Sequence, residues 1–83
     1  MEDVEATLRT FIAENILYSN DGYPHADDAS FLETGVIDSM GVMELVLFIE
    51  ERFGVKTEDH EIVPENFDSI HSLASYIRGK MAG

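Results

Sequence analysis

The chain lacks cysteine and tryptophan altogether, and its 83 residues include only two prolines and five basic side chains. Without cysteine there is no disulfide framework, no thiolate nucleophile and no Cys-based metal site, so a reducing, cytoplasmic setting is expected. Long apolar runs are missing too. The longest, Leu45 to Ile49, falls far short of the roughly 18 residues that span a membrane. The opening Met1-Glu2-Asp3-Val4-Glu5 is acidic where a secretory signal needs a basic stretch and then an apolar one. Scarcity of bases matters most: against 17 acidic residues it leaves a formal net charge of −12. That excludes nucleic acid and anionic membrane as partners and favours basic patches on other proteins.

A chain of this length forms one domain, residues 1–83, and buries only about 60 to 65% of its unfolded surface in one small core. Val4, Leu8, Phe11, Ile12 and Ile16 recur at spacings of three and four, which predicts an amphipathic helix over about 3–17. Asp3 is its expected cap, with Glu2 and Glu5 at the positive end of its dipole. Residues 18–37 form a long connection with turn chemistry at Ser19-Asn20-Asp21-Gly22 and Tyr23-Pro24. Twenty structureless residues are unusual in a small domain. The apolar Phe31, Leu32, Val36 and Ile37, and the capping-box spacing of Ser30 and Glu33, predict that the loop is packed and holds a short helical turn before Gly35.

The most regular helix is predicted over 39–53. Val42, Leu45, Val46, Ile49 and Phe53 form its core stripe, Ile37 and Val42 have the spacing of a hydrophobic staple around Asp38, and Gly54 suits the position after the end. A second stripe comprises Met40, Met43, Glu44, Leu47, Glu50 and Glu51. It fits either a helix buried on two sides or a docking face for partners. Glu50 and Glu51 lie in the last turn, where the dipole disfavours an exposed acid by about 0.3 to 1 kcal/mol, and Arg52 offsets part of that cost. Residues 55–62 are polar with isolated apolar positions. Pro64 can open a short helical segment through Phe67. A last helix is expected from about Ser69, capped by Asp68 or Ser69, with Ile70, Leu73, Ala74 and Ile77 inward and Gly79 or Gly83 near its stop. No repeat or strand pattern is present. The predicted fold is all-α, a small four-helix-type bundle of three main helices plus a short third one, with a long loop between the first two.

Candidate chemistry centres on Ser39. A serine at a helix start meets unsatisfied N–H groups and the positive dipole end, a favourable place for an anion such as a phosphodiester. It is equally a common N-cap, as is Asp38. A hydrolase would need a base, and His25, His60 and His71 each lie in polar contexts. Ser39 also lacks the Gly-x-Ser-x-Gly frame, since Ile37 replaces the first glycine. Calcium binding fails on alignment: with Gly22 at the sixth loop position, Leu17 falls where the first oxygen ligand is required. No second histidine pairs with His60 at metal-ligand spacing. Neither a catalytic nor a metal site is expected.

The run Gly35-Val36-Ile37-Asp38-Ser39-Met40, followed by an apolar helix ending Glu50-Glu51-Arg52-Phe53-Gly54, resembles the acyl carrier protein family, whose members carry an Asp-Ser-Leu/Met motif. The resemblance implies a helical bundle and no catalysis. It makes Ser39 the attachment point of a 4′-phosphopantetheine arm, flanked by Asp38, and the arm's thiol the carrier of acyl or aminoacyl thioesters. It matches the family's partner-facing acids to Glu44, Glu50 and Glu51 and the apolar residue after the serine to Met40, and the docking reading of the stripe adds Met43 and Leu47 to this recognition face. Expected partners are a phosphopantetheinyl transferase and a loading ligase or synthase with a basic docking patch, meeting a monomeric carrier. The chain departs from the family at Arg52, where a third acid is usual, and at Gly41, where fatty-acid carriers usually have an acid. Peptidyl carriers typically have paired glycines before the serine, and Val36-Ile37 breaks that pattern. The resemblance therefore favours an acyl or aminoacyl carrier of a specialised pathway. The rival reading is an unmodified acidic adaptor that binds proteins through the 40–51 face.

Overall fold

Five α-helices and one 3₁₀ turn form in the computed structural model, which describes residues 3–82, with Ser39 described by its backbone alone. Glu2 and Gly83, named above for the chain ends, lie outside the described residues. Helix α1 (Val4–Asn15) starts as predicted: the Asp3 carboxylate accepts the Ala6 N–H at 3.1 Å. It stops two residues early. The Leu17 N–H reaches back to the Ile12 carbonyl and the Ser19 N–H to that of Ala13, steps too wide for an α-helix, and Tyr18 between them takes the left-handed φ of 52°. Val4, Leu8, Ile12 and Ala13 are buried along its inner face.

The following loop is packed, as its apolar residues predict. Asp27 straps it down twice: its two carboxylate oxygens accept from Arg9 Nη1 at 2.8 and 2.6 Å, and its carbonyl accepts the His71 N–H at 2.8 Å. The predicted turn is α2 (Phe31–Thr34), with the Glu33 N–H donating to Ser30 Oγ and Gly35 closing it at φ 71°. Asp68 anchors this turn from across the fold. Its carboxylate accepts Ser30 Oγ–H at 2.6 Å and the Leu32 N–H at 3.2 Å, while its carbonyl accepts the Phe31 N–H. Phe31, Val36 and Ile37 are buried, but Leu32 is 79% exposed and adds nothing to the core.

Helix α3 (Ser39–Phe53) has the predicted bounds because both ends carry strong local signals. Asp38 Oδ1 accepts the Gly41 N–H at 2.9 Å, and Gly54 takes φ 70° with its N–H on the Glu50 carbonyl. Leu45 and Ile49 are fully buried, with Val42, Val46 and Phe53 half-buried beside them. The 3₁₀ turn Asp59–Glu61 was not legible, since it buries no residue and has no apolar spacing; it is held by the Glu58 N–H on Glu61 Oε1 and by Lys80 Nζ on the same carboxylate. Pro64 opens α4 (Pro64–Phe67) as its first residue.

Ser69 resolves the choice of cap for α5 (Ile70–Ala82): its Oγ accepts the Ser72 N–H at 3.0 Å. Gly79 does not stop that helix. It lies within α5 without a left-handed φ, and the flanking Arg78 and Lys80 tie the last turns to Glu5 and Glu61. The inward face of α5, Ile70, Leu73, Ala74 and Ile77, packs on α1, α3 and α4. Phe11 stacks on Phe48 with ring centres 4.0 Å apart and closes α1 against α3. The result is the expected all-helical bundle, and among the described residues no helix is long and apolar enough to cross a membrane.

Candidate functional site

Two buried residues, Val36 and Ile37, fix the chain just before α3, and the backbone then extends through Asp38 into the helix. Ser39 is therefore the first residue of a 15-residue helix. Its hydroxyl lies outside the described atoms, but its neighbours define the place. Asp38 is exposed with its carboxylate turned back onto Gly41, and Met40 is 78% exposed. The positive end of the α3 dipole meets solvent here and would stabilise a phosphodiester.

Gly41 is buried against Ile37: a Cβ at that position would lie only 2.9 Å from Ile37 Cγ2. A side chain at this position would have to displace Ile37, the buried residue that anchors the helix start.

The second stripe of α3 faces solvent. Met43 is 54% and Leu47 63% exposed, and Glu44, Glu50 and Glu51 are exposed alongside them. Burial of this helix on two sides is excluded, and the stripe is an acidic, methionine-rich surface beginning beside the serine. The three histidines lie apart from it, His25 in the loop, His60 in the 3₁₀ turn and His71 in the first turn of α5.

Tyr18 is a residue that sequence reasoning missed. It is 82% exposed and sits in the left-handed region, a conformation that costs a bulky residue about 1 to 3 kcal/mol. Its neighbours Ser19 and Asn20 read only as turn residues, so nothing in the sequence signals it. With Glu44, it lines two clefts beside α3. One, of about 260 Å³, runs to Asp38 and Met40; the other, of about 400 Å³, runs to Leu47 and Glu51.

The sequence profile of the family described as "Phosphopantetheine attachment site" matches residues 6–77. The chain belongs to that family of phosphopantetheine-binding carriers. It is 30% identical over 77 residues to an acyl carrier protein of Zymomonas mobilis, covering 93% of this chain and 94% of the relative. It is 32% identical over 73 residues to a D-alanyl carrier protein of Streptococcus suis, covering 88% and 89%. A chain from a crystal structure described as an FAD-dependent dehydrogenase is similar at 34% identity with a TM-score of 0.65, covering 83% of this chain and 96% of that one. Carriers of this family are not enzymes: they hold a covalent 4′-phosphopantetheine arm and present its cargo to others. The residues around the helix start fit such a group, since Asp38 and Met40 on either side are exposed and the dipole favours its phosphate.

Proposed function

We propose that Ser39 is the attachment residue and that residues 1–83 form a single, monomeric, cytoplasmic carrier domain shuttling acyl or aminoacyl thioesters. The observation that carries this reading is the start of α3: the motif serine is the helix's first residue, between exposed neighbours and at the positive dipole end. A phosphopantetheinyl transferase would supply the base. The Ser39 oxygen would bond to the phosphorus of coenzyme A that bears the pantetheine arm. The pyrophosphate bond would break, the nucleotide would leave, and the hydroxyl proton would pass to the transferase. A loading ligase or synthase with a basic patch would dock on Met40, Met43, Glu44, Leu47, Glu50 and Glu51.

Likeness to both acyl and D-alanyl carriers keeps both cargo classes in view. Gly41 and Arg52 support a specialised pathway over general fatty-acid synthesis. The similarity to a chain in a flavoenzyme structure supports oxidation of the carried group by an FAD-dependent partner.

Intact-mass spectrometry tests the reading. Incubation with coenzyme A and a phosphopantetheinyl transferase should add one phosphopantetheine group to the wild type and nothing to Ser39→Ala. No gain across a range of transferases would sink the carrier reading and leave the acidic adaptor.

A further inference from the structure

Tyr18 combines three properties that fold stability does not explain. Its backbone is in the left-handed region, where glycine would be relaxed. Its side chain is exposed, so almost none of that strain is offset by burial. Tyr18 nevertheless lines both clefts beside α3 together with Glu44, with Asp38 and Met40 on one side and Leu47 and Glu51 on the other. An exposed aromatic residue that shares its clefts with an acidic one suits one partner group above all: a guanidinium can stack on the ring face and be met by the acid at once. Tyrosine is also among the residues that most often dominate binding energy at interfaces.

We infer that Tyr18 is a recognition anchor of the docking surface, onto which an arginine of the phosphopantetheinyl transferase stacks while Glu44 meets its charge. The inference rests on Ser39 being the attachment residue. It extends the transferase's footprint from α3 across to the end of α1, and the whole chain's net charge of −12 matches an occupant that brings cationic side chains.

The test measures transferase kinetics on Tyr18→Phe, Tyr18→Leu and Tyr18→Gly beside thermal unfolding. The phenylalanine variant keeps the ring and should stay within about twofold of wild type, whereas leucine and glycine should lower kcat/KM by about three- to tenfold, through KM with kcat retained. Tyr18→Gly should also raise the unfolding midpoint by about 4 to 8 °C, the shift for a net gain of about 1 kcal/mol in a domain of this size, because the left-handed strain it relieves outweighs the glycine's added freedom in the unfolded chain. A tyrosine with only a structural role would show the opposite, a lower midpoint and unchanged KM. If the wild type gains the arm on Ser39 and Tyr18→Gly gains it with equal kcat/KM, the anchor is refuted and the attachment site stands. If the wild type gains no arm, both fall.

Discussion

Gly41 shows how one absent side chain shapes the site. Its N–H completes the Asp38 cap, and its missing Cβ leaves room for Ile37, whose burial holds the chain at the turn into α3. Alanine is ordinarily worth about 1 kcal/mol over glycine inside a helix. Here the added carbon would meet a β-branched side chain with little freedom to turn, and such overpacking costs about 1 to 3 kcal/mol. Gly41→Ala should therefore fail to stabilise, and a net loss of about 1 kcal/mol is expected in urea unfolding. A gain would mean that Ile37 moves aside freely. At this scale the sequence was informative where chemistry is local: Asp38 and Ser39 were legible as a capped helix start from residue type alone. Tyr18 was not, because its strain and its clefts arise only when the end of α1 meets α3.

Among the elements, α1 and α5 meet through more than apolar packing. Arg78 on α5 makes a bidentate contact with Glu5 in the first turn of α1, holding that carboxyl down to about 2 from its ordinary 4.5, through the hydrogen bonds first and the guanidinium charge after them. A carboxyl depressed in the folded state contributes stability above its unfolded value, and the contribution fades as pH falls from about 4.5 to about 2. Arg78→Gln should thus lower the unfolding midpoint most at neutral pH, and the two melting curves should converge towards pH 2. A gap that is constant with pH would mean that Arg78 acts by packing its alkyl stem.

Element bounds were legible where a cap and a left-handed glycine coincide, as at Asp38 and Gly54. They were misread where backbone bonds outside the helical ladder set the end, as beyond Asn15, and of the two glycines offered for the end of α5, Gly79 lies within the helix. The contact of Ser30 with Asp68, 38 residues apart, has no local signal at all.

For the molecule as a whole, the decisive quantity is the excess of acids, and it acts on folding and on docking with opposite sign. The folded chain extends over 34 × 28 × 20 Å, about the distance across which charges interact at 0.01 M salt, roughly 30 Å. Most acidic residues therefore repel one another across the entire structure at low ionic strength. Arg9, Arg78 and Lys80 are committed to Asp27, Glu5 and Glu61, pairs that tie the loop, helix ends and 3₁₀ turn together and neutralise little of the α3 face. Near 1 M salt, where charges interact over only about 3 Å, the long-range repulsion is removed while close ion pairs are weakened less completely. The unfolding midpoint should accordingly rise from about 0.01 to about 1 M sodium chloride. Over the same range, kcat/KM with the transferase should fall, because attraction between the acidic stripe and a basic partner is screened too. Measured on one preparation, these opposing trends separate the two uses of the acidic surface. A midpoint that falls with salt would show that close ion pairs outweigh the net repulsion, and a salt-independent kcat/KM would show that the stripe of α3 steers no partner.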